Sequence, residues 1–64
     1  MTTAYKIKYL REEQGMTQQE LSEKSGVSRT IISELESGKR SVTRTDTLLK
    51  ISKALKHPIK DIFL

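Results

Sequence analysis

The side chains with most capacity for chemistry are basic, and they are unevenly spread. Residues 37–64 carry seven Lys and Arg against two acidic residues, a net of +5. Residues 1–36 carry five basic and six acidic side chains, a net of −1. The densest stretch is Lys39–Arg44, with three basic residues and no acidic one. Such a cluster does electrostatic chemistry, holding a polyanion such as nucleic acid or an anionic lipid surface. A solvated lysine-rich surface has the same composition. Covalent and metal chemistry have little to work with. The chain has no cysteine, hence neither a disulfide nor a thiolate ligand. Its one histidine, His57, cannot build a zinc site, which takes about four nitrogen or sulfur ligands. His57 is read instead as the N-cap of a last short helix. There is no Ser/His/Asp set with a scaffold to orient it and no glycine-rich phosphate loop. The expectation is a protein with no catalytic residue, metal or cofactor, and not an enzyme.

The elements that position these charges are helical. Sixty-four residues make one domain, 1–64, near the lower limit at which a single core holds unaided. No run approaches the ~20 apolar residues of a membrane span or the ~7–15 of a signal peptide. A soluble, cytoplasmic protein is expected. Gly15, Gly26 and Gly38 each follow a run with helical spacing, where a left-handed C-terminal cap belongs. The first helix is predicted over roughly 5–13, with Ile7 and Leu10 inward and Tyr5 and Tyr9 closing one flank. Thr17-Gln-Gln-Glu20 is a capping box, with Met16 and Leu21 as its hydrophobic staple. Ser28 caps a third helix whose staple is Val27 and Ile32 and whose buried face is Ile32 and Leu35. A fourth helix begins at Thr43–Thr45, with Asp46 at its positive end and Leu48, Ile51 and Leu55 facing inward. Pro58 suits the first position of a fifth, with Ile59, Ile62 and Phe63 packing back. The predicted fold is all-α: a compact bundle of five short helices.

The stretch TQQELSEKSGVSRTIISELESGK, Thr17 to Lys39, resembles the helix-turn-helix of the Cro and phage-repressor family, often called XRE-like. KIKYLREEQGM resembles that family's first helix, and DTLLKISKAL with PIKDIF its fourth and fifth, so nearly the whole chain is covered. Two helices joined at a steep angle by a tight turn let the second stand proud of the domain. Gly26 supplies the turn, and Ser25 is small enough for the helices to approach. The resemblance implies a lambda-repressor-like domain with its helix-turn-helix over about 17–37. It also implies that Arg11 of helix one pairs with Glu36 at the end of helix three. It departs at two places. Thr43 and Arg44 stand where many members have Pro and Ser, leaving the cap of helix four open between Thr43 and Thr45. Lys56 replaces the usual glycine after helix four, so a less tight turn into Pro58 is expected.

The family's docking geometry implies roles on DNA, with the third helix in the major groove. Base-facing positions correspond to Arg29, Thr30, Ser33 and Glu34. Arginine bonds guanine bidentately, glutamate accepts from the cytosine amino group, and threonine offers a methyl or a hydroxyl. A phosphate contact suits Arg29 as well, and Glu34 can serve to reject wrong sequences. Backbone positions correspond to Gln18, Ser28, Ser37, Lys39, Arg40 and Arg44. Lys50, Lys53, Lys56 and Lys60 are read as solvated surface. The implied function is a sequence-specific, double-stranded DNA-binding transcriptional regulator, a repressor acting by promoter occlusion. A homodimer on a palindromic operator is expected, joined through helix five and neighbouring surface. Of the apolar chain end, Ile59, Ile62 and Phe63 serve the monomer core, which leaves Leu64 and part of Phe63 for the contact. No ligand-sensing domain is expected beside it. Two alternatives stand: a toxin-neutralising antitoxin built on the same domain, and a protein-interaction module.

Overall fold

The computed structural model describes residues 3–64, so positions 1 and 2 of the expected domain lie outside the described residues. Four α-helices follow one another: α1 Ile7–Glu13, α2 Gln18–Ser25, α3 Arg29–Ser37 and α4 Thr45–Leu55. The expected fifth helix is a single 3-10 turn, Ile59–Ile62. Four residues leave no room for a full α-helical turn to repeat, and Phe63 is already extended at φ −84°, ψ 144°. The all-α class holds, with four helices instead of five.

Local signals explain most boundaries. Thr17 Oγ1 accepts from the Glu20 N–H at 3.0 Å, and Glu20 Oε1 accepts from the Thr17 N–H at 3.0 Å, closing the capping box of α2. The Thr17 N–H, first among the causes, holds the Glu20 carboxyl below the usual carboxylate value. Ser28 Oγ accepts from the Thr30 N–H at the start of α3. Gly26 and Gly38 take the left-handed conformation, φ 74° and 88°, as C-caps of α2 and α3. A Cβ at Gly26 would meet nothing within 4 Å, so its backbone angle, not space, requires glycine there.

The core gathers the inward stripes: Ile7 and Leu10 of α1, Leu21 of α2, Ile32 and Leu35 of α3, and Leu48, Ile51 and Leu55 of α4. Both staples are buried, Met16 with Leu21 and Val27 with Ile32. Ile62 closes the core, with Ile59 half-buried against it.

The termini depart from expectation. α1 starts at Ile7, and Tyr5 lies outside it in an antiparallel bridge with Phe63. The Lys6 N–H donates to the Ile62 carbonyl at 2.6 Å and the Leu64 N–H to the Ala4 carbonyl at 3.0 Å. Tyr5 is therefore buried while Tyr9 is exposed, and the two do not form one flank. Phe63 stacks tilted on Tyr5, ring centroids 5.8 Å apart, and stays 45% exposed at the edge of the core. Arg44, not Thr43 or Thr45, is the N-cap of α4, and it makes no side-chain cap bond. Asp46 in the first turn supplies negative charge there instead. Pro58 is the N-cap of the final turn, a place expected for His57, which lies at 3.5 Å from Asp61. The turn after α4 is as tight as a glycine would make it. Lys56 adopts φ 59°, its N–H donating to Lys53 and Ser52 and that of His57 to Ser52.

Candidate nucleic-acid interface

The face of α3 is set by its periodicity. Ile32, Leu35 and Glu36 turn inward, which leaves Arg29, Thr30, Ser33 and Ser37 on the exposed side. Arg29, Ser33 and Ser37 succeed one another at i, i+4, so they form one row along the helix. Glu34 is half-buried at its flank. These side chains, with Gln18 at the start of α2 and Lys39 beyond α3, line one shallow polar groove. The groove thus brings together seven of the residues assigned from the sequence. Ser28 sits at the N-cap, its hydroxyl engaged by the Thr30 N–H. Arg40 folds back onto Glu34, with Nε and Nη2 at 3.0 and 2.8 Å from Oε1. Arg44 is apart from the groove, exposed and 3.2 Å from Asp46.

Beneath this face lies a buried ionic knot. Arg11 Nε and Nη2 donate to the two oxygens of Glu36 at 2.8 and 3.0 Å, while Nη1 donates to the Met16 carbonyl at 2.7 Å. The bidentate bond to Glu36 is the first cause raising the Arg11 pKa above its usual value. Gln18 Nε2 donates to Glu36 Oε1 at 3.0 Å. One carboxylate therefore ties α1, the first turn of α2 and the end of α3, and its partner Arg11 adds the loop before α2 through the Met16 carbonyl. Among the described residues, no buried side-chain polar atom lacks a partner. A buried ion pair adds little net stability, but it fixes geometry, and losing one partner is costly. Gln18 thus supports the exposed helix from within while bordering the groove.

The turn between α2 and α3 is held by two serines. Ser22 Oγ donates to the Val27 carbonyl at 2.7 Å, and Ser25 Oγ accepts from the Val27 N–H at 3.1 Å. Ser25 is therefore a hydrogen-bonding turn residue as well as a small one. Two features were not singled out from the sequence. Lys8, exposed on α1, borders a hollow that continues from the groove past Gln18, Ser33 and Ser37. Its helical position, one turn before Arg11 and Glu12, was the available signal. The Arg40–Glu34 pair had no local signal, since a bond spanning six residues depends on how the loop folds.

The site offers hydrogen-bond donors and acceptors. Among the described residues no cluster of three or more His, Cys, Asp and Glu could hold a metal ion. No described helix is long and apolar enough to cross a membrane.

Comparison with known proteins agrees with this arrangement. A family profile described as Helix-turn-helix matches residues 7–62. The HTH-type transcriptional repressor RghR of Bacillus subtilis (strain 168) is 41% identical over 56 residues, covering 88% of this chain and 42% of that protein. The chain thus spans less than half the length of this relative. With α2, its serine-bonded turn and the exposed face of α3 placed as described, the chain belongs to the helix-turn-helix family of the Cro and phage-repressor type, a family of DNA-binding transcriptional regulators.

Proposed function

We propose that this chain binds double-stranded DNA sequence-specifically and regulates transcription, with α3 in the major groove. One observation carries the reading. The exposed polar row of α3 is continuous with Gln18 and Lys39 and rests on the Arg11–Gln18–Glu36 knot, so a reading helix is both presented and braced. Arg29, Thr30, Ser33 and Glu34 meet base edges, and Gln18, Ser28, Ser37, Lys39, Arg40 and Arg44 lie along the backbone side. The net charge of +4 supports binding to a polyanion. RghR, a repressor by its name, supports repression as the sign of regulation, by occlusion of a promoter in the cytoplasm.

The active species is a two-fold dimer on a palindromic operator. One domain of this kind covers only about 600–1,000 Å² of DNA, too little for tight selective binding. Leu64, 71% exposed, and the part of Phe63 not stacked on Tyr5, 45% exposed, are apolar surface left over by the monomer core. Ile59 and Ile62 are taken up by that core. The patch is small, so association is weak in solution and strengthened on DNA, with half-sites about 34–36 Å apart or a multiple of that.

Selection from a random duplex pool, followed by titration of the recovered duplex across salt concentrations, tests both statements. Affinity should exceed non-specific binding by about 10³-fold or more and fall steeply with salt. Arg29→Ala should flatten preference at one position, whereas Lys39→Ala should weaken all duplexes alike. Failure to enrich any sequence refutes the reading. A clean end point of one protein per palindromic duplex refutes the dimer.

A further inference from the structure

A carboxylate on a DNA-reading helix needs an explanation, because phosphates repel it. Glu34 lines the groove with Arg29, Thr30 and Ser33. Its backbone carbonyl accepts from the N–H groups of Gly38 and Arg40, both at 3.1 Å, so the chain after α3 curls back over the last turn. That curl delivers the Arg40 guanidinium to the carboxylate. Both of its bonds, at 3.0 and 2.8 Å, go to a single oxygen, Oε1. Among the described residues Oε2 accepts no hydrogen bond from a side chain or from the backbone. The pair is only partly exposed, 41% for the Arg40 side chain and 32% for Glu34. A fork that grips both oxygens would satisfy the carboxylate; this one neutralises it and leaves one acceptor open.

Building on the proposed DNA-binding function, we propose that Arg40 is a positioning residue that holds Glu34 with Oε2 free to accept from the exocyclic amino group of a cytosine in the major groove. Arg40 does two things for that contact. It cancels the charge that would otherwise be driven away from the phosphates. It also fixes the carboxylate so that less rotameric freedom is lost when the base is met. Cytosine is the base whose major-groove edge offers a donor amino group without the adjacent acceptor that adenine carries at N7. An isolated acceptor such as Oε2 matches that edge. Arg40 and Glu34 thus act as one reading unit, although only Glu34 touches the base.

The test measures base preference at every operator position for the full chain and for Glu34→Ala, Arg40→Ala, Arg40→Lys and the double variant Glu34→Ala/Arg40→Ala. Thermal melts of each accompany the binding data. Glu34→Ala should reduce a roughly tenfold or greater preference for cytosine at one position to near unity. Arg40→Ala should abolish the same preference at the same position with little change in melting temperature. The double variant should show no further loss of selectivity, because the two residues form one unit. Arg40→Lys keeps the charge but not the two-pronged grip on one oxygen, so it should recover general affinity without the preference. Arg40→Ala weakening all duplexes equally with the cytosine preference intact would overturn the proposal, making Arg40 a phosphate contact alone. A full preference in Arg40→Lys, or an adenine preference lost in place of cytosine, would overturn it too. Failure of the wild-type chain to select any duplex is a different result, which refutes DNA reading itself.

Discussion

The turn into α3 and the loop out of it hold the same helix by different means. Before α3, the stretch Ser22 to Ser28 contains nearly everything: Ser22 and Ser25 bond the Val27 carbonyl and N–H, Gly26 takes the left-handed angle, Val27 is stapled and Ser28 caps. After α3, the Ser37 hydroxyl makes only long local bonds, 3.3 and 3.4 Å, and the chain runs exposed through Val42. Beyond the local bonds of the Gly38 and Arg40 N–H groups to the Glu34 carbonyl, its side-chain restraints reach further. The Tyr5 hydroxyl donates to the Ser41 carbonyl at 2.7 Å across 36 residues, and Arg40 reaches back to Glu34. A joint written in neighbours is rigid and readable; a joint written in distant partners can be adjusted by whatever touches it.

The largest expected effect tests what both joints lean on. Glu36→Ala leaves Arg11 buried and unpaired, and should cost about 3–5 kcal/mol, most of what a domain this small has. Glu23→Ala, on the exposed side of α2, should cost under about 0.5 kcal/mol. Equal small shifts in thermal melts would remove the knot from its central place. Next comes the local joint. Gly26→Ala forces a Cβ into a left-handed residue with no compensating contact, for a loss of about 1–2 kcal/mol. The converse is Lys56→Gly, where φ is 59°. It should gain about 0.5–1 kcal/mol in the same denaturation assay. Opposite signs at the two positions would establish that backbone angle alone decides.

The distant joint should respond more weakly. Tyr5→Phe keeps the ring on Phe63 but removes the bond to Ser41, for about 1 kcal/mol. Amide exchange should quicken around residues 39–44 while the α2–α3 turn is unchanged; uniform acceleration would mean that the two joints are coupled. The smallest effect concerns acid. The Glu20 carboxyl titrates below its usual value in the folded chain. Its contribution is therefore present above the ordinary carboxylate pKa and is lost as pH falls through the folded value. The melting temperature should fall slightly further between about pH 5 and pH 3 for the wild type than for Glu20→Gln. Identical acid profiles would deny the capping box an ionic part.

The same contrast explains what was legible in the sequence. The capping box, the two staples and the left-handed Gly26 and Gly38 all follow from residues within a few positions of each other. So does the exposed row of α3, because the burial of Ile32 and Leu35 dictates it. The strap at Tyr5 was not legible. Its spacing from Tyr9 suits a helix, and only pairing with Phe63, 58 positions on, turns it into an extended segment. The close turn at Lys56 was hidden for a related reason. Gln14 Nε2 donates to the Leu55 carbonyl at 2.7 Å, so a residue of α1's C-cap satisfies the end of α4. Arg44 as cap had no signal, since its side chain makes no capping bond. Within the groove, residue types were readable but their mutual bonds were not. Glu34 looked like a lone acceptor, and Arg40 a lone cation, until the curl after α3 joined them.

The seam between Ala4–Lys6 and Ile62–Leu64 brings the two ends of the described chain side by side. The polypeptide path is consequently almost a ring, and where a ring is opened is arbitrary. Joining the ends through a short glycine-rich linker and cutting within the exposed Ser41–Val42 stretch would reorder the helices while keeping their contacts. The seam also closes a loop of nearly the whole described chain, the longest closure of the fold. A tether attached at either end would emerge from the same corner of the fold. An extension leaving on the Ala4 side could be exchanged for one leaving on the Leu64 side with little change in where it hangs.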